Sequence, residues 1–281
     1  MASTDPQTLH QSIPVPGDGL DAARMPGHWL LARLGKRVLR PGGLELTRWM
    51  LDTLGIRTDD RVVELAAGLG STARLVLEHA PAAYTAVDRD PAAVAHLCAL
   101  TTAGPTEVAA VRADAADTGL PPGSATVVYG EAMLTMQPDS AKGRIMREAH
   151  RLLAGTDGRY AIHELCLLPE DLDQEHAEEI TRDLGLAIHV GARPLTPSGW
   201  VALLAAEGFT VTARRRAPMA LLETRRLIAD EGLARATRIA GRALRDPAAR
   251  QRVLEMRRVF RRHQAHLGAI SLVATPTTLF S

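Results

Sequence analysis

Arg61-Val62-Val63-Glu64-Leu65-Ala66-Ala67-Gly68-Leu69-Gly70-Ser71-Thr72-Ala73 is the stretch that decides the fold. The unbroken apolar run over Arg61–Ala66, rich in β-branched residues, reads as a parallel strand buried on both faces. It ends in a Gly-x-Gly turn and passes into a segment with helical spacing over Ser71–Ala80. Glycines suit such a turn because the backbone must bend tightly and approach a ligand with no Cβ in the way.

Working outward, short apolar runs alternate with helical periods. Strands are expected over Tyr84–Val87, Val108–Val111, Ala125–Tyr129, Tyr160–Leu165, Thr210–Arg214 and Gly268–Ala274. Asp90-Pro91 sets a capping residue before a proline at the first helical position, which starts a helix through Leu97. Leu30, Leu31, Leu34 and Val38, then Leu46, Trp49, Met50 and Leu54, mark a pair of N-terminal helices broken at Pro41-Gly42-Gly43. Thr196 caps a further helix that Gly208 stops. Alternation of this kind predicts an α/β fold with a doubly wound, seven-stranded, mainly parallel sheet and right-handed crossovers. The expected layout is a flexible leader over 1–21, covering helices over 22–58 and a core over 59–281. Helical lid insertions are expected at about 170–193 and 223–266, the second in two pieces split at Asp246-Pro247, and they are expected to cover the acceptor cavity and set specificity.

The 281 residues carry 33 Lys+Arg against 32 Asp+Glu, a net charge of +1, with 46% hydrophobic and 23% charged. This composition excludes a disordered tail protein or a charged arm, and the length suits one large or two small domains. Two cysteines, Cys98 and Cys166, are too few for a disulfide framework, and no apolar run is long enough for a membrane span. Residues 1–21 have no apolar segment of the secretory kind. A cytoplasmic protein without membrane partners is the expectation. Arginine carries nearly all the positive charge, lysine occurring only as Lys36 and Lys142.

Three carboxylates sharpen the reading of the glycine turn. Glu64 sits four residues before Gly68, where a diphosphate would not welcome it. Asp88 ends the second strand, placed to accept hydrogen bonds from a ribose diol, and Asp114 ends the third, within reach of an adenine amino group. Acidic groups at three successive strand ends suit a ligand with a cationic amino-acid end, a diol and an adenine. The spacing Gly68-x-Gly70-x-x-Ala73 also satisfies the dinucleotide fingerprint, so an NAD(P)-dependent oxidoreductase stays open as a rival.

Over about residues 60–165 the chain resembles the class I S-adenosylmethionine-dependent methyltransferases. The resemblance rests on Glu64–Gly70, Val87-Asp88-Arg89-Asp90, Asp114-Ala115, Leu120-Pro121-Pro122-Gly123-Ser124-Ala125 and Glu148-Ala149-His150-Arg151-Leu152-Leu153. It looks most like the small-molecule enzymes of the ubiquinone/menaquinone-biosynthesis type. The resemblance implies S-adenosyl-L-methionine as cofactor, held by Glu64, Ala66, Gly68, Gly70, Asp88, Arg89, Asp114, Ala115, Glu131 and Ala132. Glu131-Ala132-Met133 would lie beside the sulfonium.

A hydroxyl or carbon acceptor needs a general base, and an amine or thiol needs one much less. His163, at the carboxyl end of the fifth strand, is the candidate base, with a hydrogen-bonded core histidine as its alternative. Strand alternation sends His163 and Glu164 to opposite faces. Glu131 and His28 complete the catalytic candidates, and His189 in the first insertion is a weaker one. His263 fits packing on the stripe Val253, Met256, Phe260, and His10 falls in the leader. The arginines of Arg214-Arg215-Arg216 and of the last long helix suit either an acidic acceptor or a solvated face. No metal set is apparent. The acceptor is expected to be a small molecule, since a charge of +1, 3% aromatics and a fourth strand ending Tyr129-Gly130-Glu131 speak against a nucleic-acid methyltransferase. Assembly is left open, a homodimer included.

Overall fold

Alternate residues of the expected strands divide between two cores, which is what a sheet covered on both faces requires. Val63, Val128 and Ile162 face one way, packed with Ile145, Ala149, Trp200 and Leu204. Their neighbours Val62, Val127 and Ala161 face the other, packed with Met50, Leu51, Val76 and Leu97. The computed structural model describes residues 16–17, 19–100 and 104–277.

The strands are β1 (Arg61–Leu65), β2 (Ala83–Asp88), β3 (Glu107–Arg112), β4 (Val127–Glu131), β5 (Arg159–Leu167), β6 (Phe209–Pro218) and β7 (Leu267–Pro276). They form one seven-stranded sheet in the order β3-β2-β1-β4-β5-β7-β6, with β7 antiparallel to both neighbours and the remaining pairs parallel. The expected α/β fold with a mainly parallel sheet is the one observed. After β1 the chain winds outward to β3, then returns to β4 on the other side of β1. The carboxyl ends of β1 and β4 therefore flank the crevice at which open α/β sheets bind ligands.

Helices α1 (Gly27–Arg33), α2 (Gly43–Leu54), α3 (Ala73–Leu77), α4 (Pro91–Cys98), α5 (Asp139–Leu152), α6 (Gln174–Ile188), α7 (Pro197–Ala206), α8 (Thr224–Glu231), α9 (Leu233–Arg245) and α10 (Pro247–Arg262) complete the fold. The caps read from sequence are in place. Asp90 accepts from Ala92 and Ala93 N–H, and Thr196 accepts from Gly199 N–H.

Several boundaries differ from expectation, and β5, β6 and β7 all run past their expected ends. The first helix stops at Arg33, because Gly35 turns at φ +103°, although Leu34 and Val38 still reach the core. The expected helix over Ser71–Ala80 shrinks to α3. The fourth strand runs two residues later than its apolar run, which makes Glu131 its last residue. The last helical stretch falls into three pieces, since Gly232 at φ +76° separates α8 from α9 before Asp246 caps α10. Of the expected leader, residues 1–15 and 18, with His10, lie outside the described residues; just beyond the leader, Ala22 and Met25 are buried against Leu30, Ile239 and Met256.

Both lysines are interior. Lys142 Nζ donates to Asp139 Oδ1 (2.8 Å) and the Arg193 carbonyl (2.7 Å), 5.3 Å above the Trp200 ring. Lys36 Nζ lies 3.8 Å from Glu231 Oε1, both side chains being 1% exposed. That glutamate also accepts from the backbone N–H of Arg37 (2.7 Å) and Val38 (2.8 Å), and its neighbour Asp230 accepts from Leu44 N–H (3.0 Å). Helix α8 has no fully buried residue; two carboxylates plugged into segment 36–44 anchor it, together with the partly buried Leu227.

Candidate functional site

At the switch point two alanines occupy left-handed backbone: Ala66, just past β1, at φ +54°, and Ala132, just past β4, at φ +52°. Each costs on the order of 1–2 kcal/mol for a residue with a Cβ, and such strain gathers at ligand sites. Both line the large cleft, about 680 Å³. Gly68, at φ +57°, lines it too, and a Cβ built there would meet no atom within 4 Å. The turn thus presents bare backbone to the open space.

The acidic strand ends converge on the same cleft. Asp88 Oδ2 accepts from Gly68 N–H (2.8 Å) and Oδ1 from Asp90 N–H (2.9 Å). Each oxygen keeps lone-pair capacity, and burial raises the carboxyl above its usual value. Asp114 Oδ1 accepts from Ala116 N–H (2.8 Å). Arg89 and Ala115 line the cleft beside them. Gly70 is the one implied cofactor residue turned away from it: at φ +68° it packs toward Leu97 and Leu100 and shapes the turn from behind.

Glu64 is enclosed by two tyrosines, whose hydroxyls both donate to its Oε2, that of Tyr129 at 2.6 Å and that of Tyr84 on the other side. Burial lifts its carboxyl to about 7 against the pull of those hydrogen bonds. The folded chain therefore holds this proton more tightly than the unfolded chain. The resulting stabilisation is complete below pH 4.5, the ordinary value, and is lost as pH rises through about 7. In ligand-free protein, urea denaturation should show a wild-type advantage over Glu64→Gln shrinking by up to about 3 kcal/mol across that interval. Parallel pH profiles for the two proteins would show that Glu64 titrates normally.

Glu131 gathers what the sequence did not show. Its Oε1 accepts from Thr47 Oγ1 (2.6 Å) and His163 Nδ1 (2.7 Å) and lies 3.3 Å from Arg40 Nε, while Oε2 accepts from Thr72 Oγ1. Burial would raise this carboxyl, but Arg40, then His163 and Thr47, outweigh it and hold it at about 2. Arg40 Nε donates to Thr47 Oγ1 at 2.6 Å, and its Nη2 is buried with no hydrogen-bond partner among the described residues. Arg40 and Glu131 both line the cleft.

His163 must be corrected. It is fully buried, lies outside the cleft lining, and spends Nε2 on the Pro41 carbonyl (2.6 Å) and Nδ1 on Glu131. Both ring nitrogens are thus taken up by oxygens of the protein. It is an anchor beneath Glu131 rather than a base facing an acceptor. Glu164 does point to the opposite side, where its carboxylate takes the N–H groups of Met133, Leu134 and Thr135 (2.8–3.0 Å) and fixes the loop after β4.

His28 lines the cleft, tilted against Trp29 (4.6 Å between ring centres). Burial and the neighbouring Arg89 lower its imidazole to about 4, against the pull of Asp90. His189 lies outside the lining and meets Arg252 (3.0 Å). His263 pairs with Asp183 (2.8 Å) at the buried edge of α10. Arg252 itself donates to the carbonyls of Ala23, Met25 and Ala187, tying α10 to α6 and the chain before α1. Arg214, Arg215 and Arg216 border a separate shallow pocket with Glu170. No cluster of potential metal ligands occurs among the described residues, nor any helix long and apolar enough to cross a membrane.

A family model for a methyltransferase domain matches residues 62–156. An uncharacterized protein of Haemophilus influenzae is 33% identical over 209 residues, covering 74% of this chain and 81% of its own. With the strand order and the acidic strand ends, the matched methyltransferase domain gives the class: the chain belongs to the class I S-adenosylmethionine-dependent methyltransferases, and its cofactor is S-adenosyl-L-methionine. The oxidoreductase left open by the Gly-x-Gly spacing is thereby removed.

Among solved structures the fold is shared with the MccD protein (18% identity, TM-score 0.63, 85% of this chain and 99% of that one). It is shared also with the [4+2]-cyclase SpnF (14% identity, TM-score 0.67, 94% and 98%). A third is a putative sarcosine dimethylglycine methyltransferase from Galdieria sulphuraria (15% identity, TM-score 0.62, 83% and 84%).

Proposed function

We propose that this methyltransferase acts on a small molecule enclosed beside the cofactor, in the cytoplasm. The observation that carries the reading is the helical cover. Residues of α1, α6 and α10 line the same cleft as Asp88 and Glu131, and its volume of about 680 Å³ is that of a small-molecule pocket. Free Cys98 and Cys166 suit a reducing compartment.

The side chains present suit each part of S-adenosylmethionine. The orphaned Arg40 Nη2 is a buried donor looking for an anion, and the cofactor carboxylate answers it. Glu64, with both tyrosines on Oε2, has Oε1 left for the cofactor ammonium. The spare lone pairs of Asp88 suit the ribose diol, and Asp114 with Ala115 suits the adenine edge. When bound, the cofactor supplies an electrophilic methyl group on its sulfonium. Glu131, with Ala132, lies at that end and holds Arg40 in place. Helices α1, α6 and α10 would orient the acceptor and exclude water, the main service an in-line displacement asks of a protein.

Calorimetry with S-adenosylhomocysteine tests this. Wild type should bind in the micromolar range, and Asp88→Ala should lose about 1.5–3 kcal/mol, the worth of hydrogen bonds to a charged group. Unchanged affinity in the variant would show the ribose assignment to be mistaken, and no binding to wild type would remove the reading of the cleft.

A further inference from the structure

The cleft is chemically divided. Toward the ends of β1 to β4 it is lined by Glu64, Asp88, Asp114, Glu131 and Arg40. Toward the helical cover its apolar walls are Leu165 of β5, Leu184 and Ile188 of α6, Leu221 after β6, and Met256 and Phe260 of α10, with His28 and Trp29 of α1 also in the lining. The elements that supply these walls are heavily charged. Helix α6 carries Glu175, Glu178, Glu179, Arg182 and Asp183, and α10 carries six arginines. None of those charges lines the cleft. Several are committed elsewhere: Arg261 and Arg257 to Glu223, Arg262 and His263 to Asp183, and Arg252 to backbone carbonyls.

We infer that the acceptor is an uncharged, predominantly apolar molecule, bound in the half of the cleft walled by Leu165, Leu184, Ile188, Leu221, Met256 and Phe260. This rests on the reading of the polar half as the cofactor site. A carboxylate, phosphate or ammonium lodged among those six side chains would be desolvated with no partner from any of them. The arginines that the sequence offered to an acidic acceptor do not line this cleft. Unbranched methionine beside phenylalanine suits an apolar body of irregular outline, since the thioether chain adapts its shape cheaply.

The test uses the full chain saturated with S-adenosylhomocysteine and two fluorescent probes of similar size, neutral N-phenyl-1-naphthylamine and anionic 8-anilinonaphthalene-1-sulfonate. The neutral probe should bind at least tenfold more tightly than the anionic one. Leu221→Asp and Ile188→Asp, each at a partly exposed position on a different wall, should weaken the neutral probe at least tenfold while S-adenosylhomocysteine affinity stays within twofold. Equal or preferential binding of the sulfonate to wild type would overturn the inference, as would indifference of the neutral probe to both substitutions. If a variant also loses S-adenosylhomocysteine, the comparison of the two probes on wild type decides. Failure of wild type to bind S-adenosylhomocysteine at all would count against the cofactor site instead, so the two readings fail separately.

Discussion

Glu131→Ala should lower the free energy of unfolding by about 3–5 kcal/mol, the cost of leaving buried charges without their partner. The carboxylate is the common acceptor for Thr47, Thr72 and His163 and the counter-charge for Arg40, and each of these is buried. Without it, two hydroxyls, a ring nitrogen and a guanidinium lose their acceptor inside a cavity that cannot reorganise freely. The network also joins α2, the end of β4, the middle of β5 and the turn before α3, so the loss falls where the cleft is built. Glu131→Gln keeps an acceptor oxygen but not the charge and should fall between the two. Urea denaturation without ligand measures this, and a difference under about 1 kcal/mol for the alanine variant would mean that the cluster is solvated rather than interlocked.

Glu231→Ala should cost a similar amount, again about 3–5 kcal/mol. Its carboxylate is the nearest counter-charge to Lys36 and the acceptor for two backbone N–H groups, all at the seam between α8 and segment 36–44. Burial already lowers the Lys36 ammonium, with Glu231 first among the groups opposing that shift. Adding Lys36→Met to the alanine variant removes the stranded charge and should restore part of the loss. The Arg37 and Val38 N–H groups would remain unanswered, so the rescue stops short of wild type. A double-mutant cycle reads the coupling directly, and simple additivity of the two substitutions would show that the pair does not interact.

What was legible in the sequence was whatever local chemistry decides. The Arg61–Ala73 stretch announced a buried strand, a bare turn and a crevice, because apolar runs and glycines act on their own neighbourhood. The caps at Asp90 and Thr196 and the split at Asp246-Pro247 were readable for the same reason. Arg40, Thr47 and Thr72 were not. They come from a loop, a helix and a turn separated from Glu131 by 59 to 91 positions, and nothing in their spacing marks them as sharing one carboxylate. Ala66 and Ala132 were named through the resemblance, but their left-handed backbone was hidden, since it is imposed by the sheet around them and alanine gives no hint of it. His163 was noticed for its place at a strand end, yet only packing shows which side of that strand it faces. The break at Gly232 was missed because the helical period continues on either side.

The scarcity of lysine, only Lys36 and Lys142 in 281 residues, also sets how the molecule responds to alkali. All three tyrosines, Tyr84, Tyr129 and Tyr160, are buried, and burial holds their phenols above the ordinary range. Ammonium and phenol are the groups that ordinarily discharge a protein near pH 10, whereas guanidinium keeps its proton well beyond that. Cys98 aside, the outward-facing charge is a standing array of arginines and carboxylates. Its electrophoretic mobility should run nearly flat through the alkaline range in which other proteins turn steadily more anionic.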